Sequence, residues 1–186
     1  MKNRGIAAFI DHQKAAQKSA STLKSYQCDL TVFARWFQST NQETLALTKI
    51  TPTDARQFKR YLINSKFKPS TINRKLLTLK YFLEWGWDTK KIKCRFPLPK
   101  LVKQVATAPK WLTRIEQNAL LRHIEQSASV RDITIIKILM NTGLRVQELC
   151  DLSWSDITIA ERKGNLAVRN SKGEKYREIP LNKESR

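Results

Sequence analysis

The sequence is poor in the residues that typify turn-rich and disulfide-rich proteins. Its 186 residues include five glycines, six prolines and three cysteines. So few turn-forming residues disfavour an all-β fold and favour helices. Cys28, Cys94 and Cys150 are far apart, odd in number and without a CxxC spacing or a nearby pair of histidines. A disulfide framework and a zinc site are therefore both disfavoured.

Long apolar runs are also missing. No stretch approaches the roughly 18 residues that a membrane-spanning helix needs. The basic N-terminus, Met1–Arg4, is followed by an apolar stretch that is too short for a secretory signal. We therefore expect a cytosolic protein that does not insert into a membrane. Because 41% of the residues are apolar, the chain is also not a disordered basic tail.

Acidic residues are scarce relative to basic ones. Lys and Arg number 35 and Asp and Glu 16, which gives a formal net charge of +19. The excess is spread evenly: residues 1–90 carry 16 basic and 6 acidic residues (+10), and residues 91–186 carry 19 and 10 (+9). Two folded modules that both face a polyanion would show this distribution, the polyanion being nucleic acid or an anionic membrane surface. A generically basic protein with solvated charges is the alternative.

The first ninety residues predict four amphipathic helices. Their apolar residues recur at steps of three and four, and the connections between them are short, as in a compact bundle. The first helix is expected over Ile6–Gln17 and the second from about Ser21. Thr51–Asp54 reads as a cap and first turn of the third helix, and Lys68–Ser70 as a break before the fourth.

A basic, proline-containing stretch follows, over residues 89–109. Pro97, Pro99 and Pro109 forbid a long helix there. We interpret it as an interdomain linker. Composition leaves open whether it spans between two docked modules or is an exposed tether.

The remaining residues predict helices followed by a small sheet. Thr113–Glu116 is an S/T-x-x-E capping box that opens a helix. Residues 131–141 are apolar almost all round, so we expect a helix that is buried on every side. Gly143 ends it, and another helix begins near Arg145. Three short strands, forming an antiparallel meander, are expected at residues 157–160, 166–169 and 176–181.

Three residues of this half stand out chemically. Arg145, near a helix start, can present a planar fork to a phosphate, and Glu148 lies three residues further on the same helix face. From spacing alone an ordinary surface pair without chemical meaning is the favoured interpretation. Lys172, in a hairpin turn, can act as an ammonium donor or be simply a solvated lysine. No P-loop, HExxH or GxSxG motif occurs.

Several segments resemble those of the tyrosine recombinases, the phage integrase family. Thr142–Leu149 (TGLRVQEL), followed by Leu152–Ile157 (LSWSDI), resembles the first catalytic box of that family. Ser171–Leu181 resembles its β2–β3 hairpin, with Ser171 where glycine is usual. Ser21–Tyr26 and Pro69–Leu76 resemble its SAM-like core-binding domain. The matches follow the family's order over about residues 6–182 and look most similar to Xer-type and transposon-borne integrases.

The resemblance implies a fold and a domain organisation. The fold class is mainly α with a small antiparallel β-meander. Residues 1–88 would form a SAM-like four-helix core DNA-binding domain, residues 89–109 a basic linker, and residues 110–186 the N-terminal part of the catalytic domain. The bundle would place two helices in the major groove of duplex DNA, with Lys24, Arg74, Lys75 and Lys80 as candidate contacts.

A mechanism also follows from the resemblance. In this family a tyrosine attacks a DNA phosphodiester and forms a 3′-phosphotyrosine and a free 5′-hydroxyl, without metal, ATP or any other cofactor. Arg145 matches the first catalytic arginine, which holds the scissile phosphate. Lys172 matches the hairpin lysine, the general acid for the 5′-oxygen. Glu148 matches the acidic residue that supports the site.

The family's later elements have no match here. No histidine follows His123, so the His-x-x-Arg box is missing, and no tyrosine fits the nucleophile. Tyr26, Tyr61 and Tyr81 match core positions of the bundle, and Tyr176 matches a packing residue of the hairpin. We therefore expect a C-terminally truncated recombinase or integrase that binds duplex DNA and does not cleave it. The full-length recombinase would form a synaptic tetramer, and no small-molecule substrate is implied.

Two other functions are kept open. A non-catalytic DNA-binding regulator derived from an integrase would contain the same parts. A basic RNA- or ribosome-associated protein would show the same charge excess.

Overall fold

The computed structural model describes residues 3–92, 95, 97–105, 108–161, 163–169 and 176–183. The chain divides into two compact units, Met1–Thr107 and Ala108–Arg186. Helices make up the regular structure described in the first unit, and the second adds a three-stranded antiparallel sheet. The predicted fold class, mainly α with a small antiparallel meander, is confirmed. Within the described ranges, no helix is long and apolar enough to cross a membrane.

Local capping explains where the helices of the first unit begin. The Asn3 side chain accepts hydrogen bonds from the backbone N–H groups of Gly5 and Ile6, and Ser19 accepts one from Thr22. Thr51 and Asp54 form a reciprocal capping box, with Pro52 between them at the first helical position. The four helices are α1 (Arg4–Ala15), α2 (Ala20–Asn41), α3 (Pro52–Asn64) and α4 (Pro69–Asp88), with a short 3-10 turn at Leu47–Lys49.

Aromatic side chains form the core of the first unit. Phe9, Phe33, Phe58 and Phe82 come from four different helices and are each at most 1% exposed. The Phe33 and Phe58 ring centroids lie 4.9 Å apart at 76°, and those of Phe9 and Phe82 lie 5.4 Å apart at 76°. Edge-to-face pairs of this kind stabilise a core beyond the area that they bury. This core holds α2 and α4 in fixed positions.

Two tyrosines of the bundle lie nearer the surface than their family positions predicted. Tyr61 and Tyr81 are each 41% exposed, so the expectation of core positions was wrong for both. The Tyr61 ring packs beside Phe58, and the Tyr81 ring beside Tyr26, which is partly buried. A phenol can bury one ring face and keep its hydroxyl hydrated, and that explains the difference.

The described part of the predicted linker packs on the first unit. Leu98 and Val102 contact its core. The Asn73 side-chain amide donates to the Val102 carbonyl at 2.9 Å and accepts from the Val102 N–H at 2.8 Å. The Lys59 ammonium donates to the Lys100 carbonyl at 2.6 Å. This stretch is therefore docked on the first unit from Leu98 to Val102, whereas residues 103–105 and 108–109 are exposed. The predicted domain limits at residues 88 and 110 stay predictions.

The second unit has a much smaller core. Leu144, Leu166, Val168 and Leu181 form its buried cluster. In the sheet, Leu166 pairs with Ile157 on one side and with Ile179 on the other, in the order β1-β2-β3. The elements are α5 (Arg114–Ser127), α6 (Val130–Thr142), α7 (Val146–Cys150), a 3-10 turn (Trp154–Asp156), β1 (Ile157–Ile159), β2 (Gly164–Val168) and β3 (Arg177–Pro180).

The expectation that the helix at residues 131–141 is buried on every side was wrong. No residue of α6 is buried, and α5 contributes none either. α6 packs against α5 and α7, and Ile138 and Leu139 reach the small core. Together these neighbours cover only part of the circumference of α6, so its apolar side chains between Ile133 and Met140 are half-buried.

Truncation of a core aromatic residue tests the packing of the first unit. We expect Phe58→Ala to lower the free energy of unfolding by about 3–5 kcal/mol, because a fully buried ring leaves a cavity. Phe67→Ala is the matched control: Phe67 is 38% exposed, so its loss should be well under half as large. Urea unfolding followed by circular dichroism measures both, and equal losses would contradict the assignment of the core.

Candidate nucleic-acid interface

Arg145 lies at the junction of α6 and α7. Gly143 ends α6 with a φ of +64°, a left-handed conformation that glycine adopts at little cost. Arg145 is the N-cap residue of α7, one position before the first turn in which the sequence predicted it. Its side chain is 65% exposed. The guanidinium is thus placed where a helix begins and where solvent or a ligand can reach it.

A buried carboxylate holds this arginine. The Glu148 side chain is 4% exposed. Its carboxylate accepts from the Arg145 backbone N–H at 2.9 Å and from Arg145 Nη1 at 2.7 Å. It also accepts from Arg177 Nη1 at 3.1 Å and Nη2 at 2.7 Å. The i, i+3 contact expected between Arg145 and Glu148 is present, and a second arginine completes the cluster.

Arg177 is a member of this cluster that sequence reasoning missed. It begins β3, where it pairs with Val168 of β2. In β3, Arg177 and Ile179 are half-buried while Glu178 and Pro180 are exposed, so Arg177 lies on the same face as a core residue. A cation at an inward position of a two-residue alternation signals a buried partner of opposite charge. The alternation of residues in β3 was visible in the sequence, but the carboxylate that binds Arg177 was not.

The electrostatics of the cluster keep Glu148 ionised. The hydrogen bonds from Arg177, and then that from the Arg145 backbone, lower the pKa of Glu148 from 4.5 to about 2. The hydrogen bonds that Arg177 donates to Glu148 also raise the pKa of Arg177. Two guanidinium groups share one carboxylate, so the cluster carries a net charge of +1. Arg145 keeps exposed N–H donors on a planar guanidinium, which can bind two oxygens of an anion such as a phosphate.

A second carboxylate–arginine pair lies nearby. Asp156 is 9% exposed. Its carboxylate accepts from the Ser153 N–H at 3.0 Å, from Ser153 Oγ at 2.7 Å and from Arg169 Nε at 2.6 Å. The Ser153 hydrogen bonds, more than the arginine, lower the pKa of Asp156. Both acidic residues line one cleft of about 260 Å³, together with Ser153, Ser155, Ala167 and Arg169.

Lys172 and the rest of the predicted turn at Ser171–Glu174 lie outside the described residues. Tyr176, just beyond it, is 60% exposed, so its assignment as a packing residue was wrong. Its hydroxyl donates to Glu178, and this hydrogen bond is the main cause that raises the pKa of Tyr176. Tyr176 directly precedes β3, and most of its side chain is exposed there.

The four candidate DNA contacts of the first unit differ in accessibility. Lys24 is exposed on α2, and Lys80 on α4 is 51% exposed, 3.7 Å from Glu84. The Arg74 side chain is 49% exposed, whereas that of Lys75 is only 6% exposed. The structure therefore leaves Lys24, Arg74 and Lys80 available to a ligand and places Lys75 in the interior.

Asp29 explains why Lys75 is buried. The Asp29 side chain is 1% exposed and accepts from Arg74 Nη1 at 2.5 Å, Lys75 Nζ at 2.9 Å and Thr78 Oγ1 at 3.1 Å. An ion is tolerated in an interior when such bonds satisfy it. Lys75 thus neutralises a buried carboxylate and joins α2 to α4.

Within the described ranges, no group of three or more His, Cys, Asp or Glu side chains is arranged to hold a metal ion.

Comparisons with known proteins give the class of this chain. Residues 6–89 match the model of the phage integrase N-terminal SAM-like domain, and residues 110–186 match that of the phage integrase family. The chain belongs to the phage integrase family of tyrosine recombinases. It is 34% identical over 179 residues to tyrosine recombinase XerC of Staphylococcus aureus strain MRSA252, and 33% identical to that of strain USA300. The aligned region is 94% of this chain and 58% of each relative, so the chain spans under two thirds of their length.

Solved structures share the fold. A lambda integrase tetramer bound to a Holliday junction aligns with a TM-score of 0.74 and 19% identity, over 95% of this chain and 47% of that one. The XerH site-specific recombinase bound to a palindromic difH substrate aligns with a TM-score of 0.66 and 21% identity, over 91% and 51%. The Tn1549 transposon integrase in complex with circular intermediate DNA aligns with a TM-score of 0.61 and 21% identity, over 97% and 61%.

The acid sensitivity of the Glu148 cluster is testable. Because folding lowers the pKa of Glu148, the stability that it contributes is full above about pH 4.5 and is lost as the pH falls toward 2. We expect Glu148→Gln to be less stable than the wild type at pH 7 and the difference to shrink steadily below pH 4.5. Thermal unfolding of both proteins from pH 2 to pH 7 measures this. A difference that does not change with pH would contradict the ionised cluster.

Proposed function

We propose that this chain is the DNA-binding part of a site-specific recombinase or integrase and that its 186 residues bind duplex DNA. The observation that carries the proposal is the exposed Arg145 guanidinium, anchored by buried Glu148 inside the family's first catalytic box. A guanidinium that is already oriented loses little freedom when it binds a phosphate. Such preorganised donors stabilise the charge that develops during phosphodiester cleavage.

Each residue of the site then has a distinct task. Arg145 binds the scissile phosphate through N–H donors that Glu148 does not occupy. Glu148 fixes the position of Arg145, and Arg177 fixes Glu148 from the sheet. By its resemblance to the family hairpin, Lys172 donates the proton to the departing 5′-oxygen. The nucleophilic tyrosine of the reaction is not among these residues.

The first unit would supply contacts to the DNA backbone. α2 and α4 pack side by side through Asp29 and through the Tyr26–Tyr81 ring contact at 6.0 Å. Their exposed cations, Lys24, Arg74 and Lys80, suit phosphate contacts that position a protein without reading sequence. In the whole protein we propose that four such subunits form a synaptic tetramer on DNA, with no small-molecule substrate and no metal or nucleotide cofactor.

A non-catalytic DNA-binding regulator is the second candidate function. It is favoured by the position of Tyr176, whose hydroxyl donates to Glu178 two residues along the chain and is thereby held beside its own strand. Tyr26, Tyr61 and Tyr81 all belong to the first unit, away from the Arg145 box in the chain. The two functions differ in one measurable property, which is the formation of a covalent bond to DNA.

Direct binding tests the proposal and its residues. We expect the protein to bind a random-sequence duplex with an affinity that falls with salt, because each neutralised phosphate contributes about −0.9 to the log–log slope. The double variant Lys24→Gln/Lys80→Gln should weaken binding about tenfold or more and reduce the slope by about 2. Fluorescence anisotropy over a range of salt concentrations measures both quantities.

Lys75→Met is the matched control for this experiment. It also removes a positive charge, but a buried one, so DNA affinity should change less than twofold while thermal stability falls. A preference for single-stranded or structured RNA over duplex DNA would contradict the proposal and favour the RNA-associated alternative. Equal effects of the surface and the buried substitutions would contradict the assignment of the interface.

Covalent capture separates the two candidate functions. With a nicked suicide duplex we expect no covalent protein–DNA band from this 186-residue polypeptide, since none of its four tyrosines is assigned as a nucleophile. Denaturing electrophoresis with a labelled strand is the measurement, and XerC of Staphylococcus aureus with its own target site is the positive control. A band that disappears in Tyr176→Phe would overturn this expectation.

A further inference from the structure

We propose that Arg169 is a second phosphate-binding residue of the DNA interface and that Asp156 is its positioning residue. The ligand is the sugar–phosphate backbone of duplex DNA, so this inference rests on the proposed function. No motif of the family box or of the predicted hairpin turn had singled out this arginine. The structure assigns it a role through its exposure, its hydrogen bonding and its position beside the Arg145 cluster.

The Arg169 guanidinium is held by one edge only. Its Nε donates to Asp156 Oδ1 at 2.6 Å, while the side chain is 61% exposed. Among the described residues, neither terminal amino group has a recorded hydrogen-bond partner. A guanidinium has five N–H donors in a fixed fork, and within the described part of the chain only the Nε donor is engaged. The terminal amino groups of such an anchored fork suit a phosphate that is recognised by two parallel hydrogen bonds.

The anchor itself is rigid. Asp156 is 9% exposed, and one of its oxygens is already bound by the backbone and the hydroxyl of Ser153. The carboxylate therefore cannot follow Arg169 into solvent. An exposed arginine with no anchor loses side-chain entropy whenever it binds. Here part of that loss has already occurred during folding.

The location of the pair favours a backbone phosphate near the one that Arg145 binds. Glu148 and Asp156 line the same cleft, so the carboxylates that hold Arg145 and Arg169 border a single depression. Inside the cleft, Glu148 and Asp156 are already paired with arginines and Asp151 adds a negative charge, so its interior offers a phosphate no net attraction. The Arg145 and Arg169 side chains are 65% and 61% exposed, and a phosphate can reach them from solvent. DNA laid over this surface could meet both arginines.

The same arrangement occurs in the first unit. There, buried Asp29 holds Arg74, whose side chain is 49% exposed. In a chain with 35 basic and 16 acidic residues, buried carboxylates at three places each hold an exposed arginine. This recurrence supports a ligand-binding role for Arg169.

The experiment compares substitutions with matched changes of charge. Arg169→Gln and the control Arg131→Gln each remove one positive charge from an exposed position of the second unit. On a random-sequence duplex we expect Arg169→Gln to weaken binding about tenfold and to reduce the salt slope by about 0.9. Arg131→Gln should weaken it less than twofold. Arg169→Lys keeps the charge but not the fork, and we expect it to lie between Arg169→Gln and the wild type.

Substitution of the anchor provides a readout that charge alone cannot imitate. Asp156→Asn raises the net charge by one, so simple attraction predicts tighter DNA binding. We expect weaker binding, by about threefold to tenfold, because Arg169 loses its anchor. The control is Asp151→Asn, which makes the same change of charge in the same cleft, at a residue bound to Gln147 and not to an arginine. It should bind as tightly as the wild type or more tightly. Circular dichroism and thermal unfolding check that each variant is folded.

The outcomes separate this inference from the proposed function. If the wild type does not bind duplex DNA, the proposed function fails and this inference with it. If the wild type binds and Arg169→Gln behaves like Arg131→Gln, only the role of Arg169 is overturned. Tighter binding by a folded Asp156→Asn variant overturns the role of Asp156. Should Asp156→Asn not fold, Arg169→Gln against Arg131→Gln decides the proposal, because Arg169 is an exposed side chain whose loss leaves the Ser153 bonds of Asp156 intact.

Discussion

The pairing of a buried carboxylate with an exposed arginine is the interaction on which the site depends. In a strongly basic chain, cations repel one another and long side chains sample many rotamers. A positive surface therefore does not by itself present hydrogen-bond donors in a fixed geometry. At the junction of α6 and α7, Glu148 fixes the donor geometry, because it binds both Arg145 at the start of α7 and Arg177 of β3. The site therefore exists only when the helix and the sheet are in contact.

The two units achieve rigidity by different physical means. The first surrounds Phe33 and Phe58 with aromatic and aliphatic side chains from four helices, so its cations lie on a scaffold fixed by packing. The second buries only a small described cluster around Leu166. Its site relies more on hydrogen-bonded ion pairs at Glu148 and Asp156. Loss of one such pair should disturb the second unit locally, where loss of a ring disturbs the whole first unit.

Much of the fold was readable from local chemistry. The S/T-x-x-E box at Thr113, the proline at Pro69 and the glycine at Gly143 each lie where a helix begins or ends. Patterns of burial were read less well. Lys75 looks like any helix lysine, yet it is buried because Asp29, 46 residues away, needs a partner. Residues 131–141 look like a buried helix, yet they are half-covered, because burial depends on how many neighbours pack around a helix.

The sequence by itself determined the family, the order of the helices and strands, and the pairing of Arg145 with Glu148, because all of these rest on neighbours within a few residues or on a contiguous motif. Only the tertiary structure decided that Arg177 shares Glu148, that Arg169 is anchored by Asp156 and that Lys75 is withdrawn from the surface. Each of these facts joins residues 13 to 46 positions apart. Strand register and helix packing set such distances, and no periodicity along the chain encodes them directly.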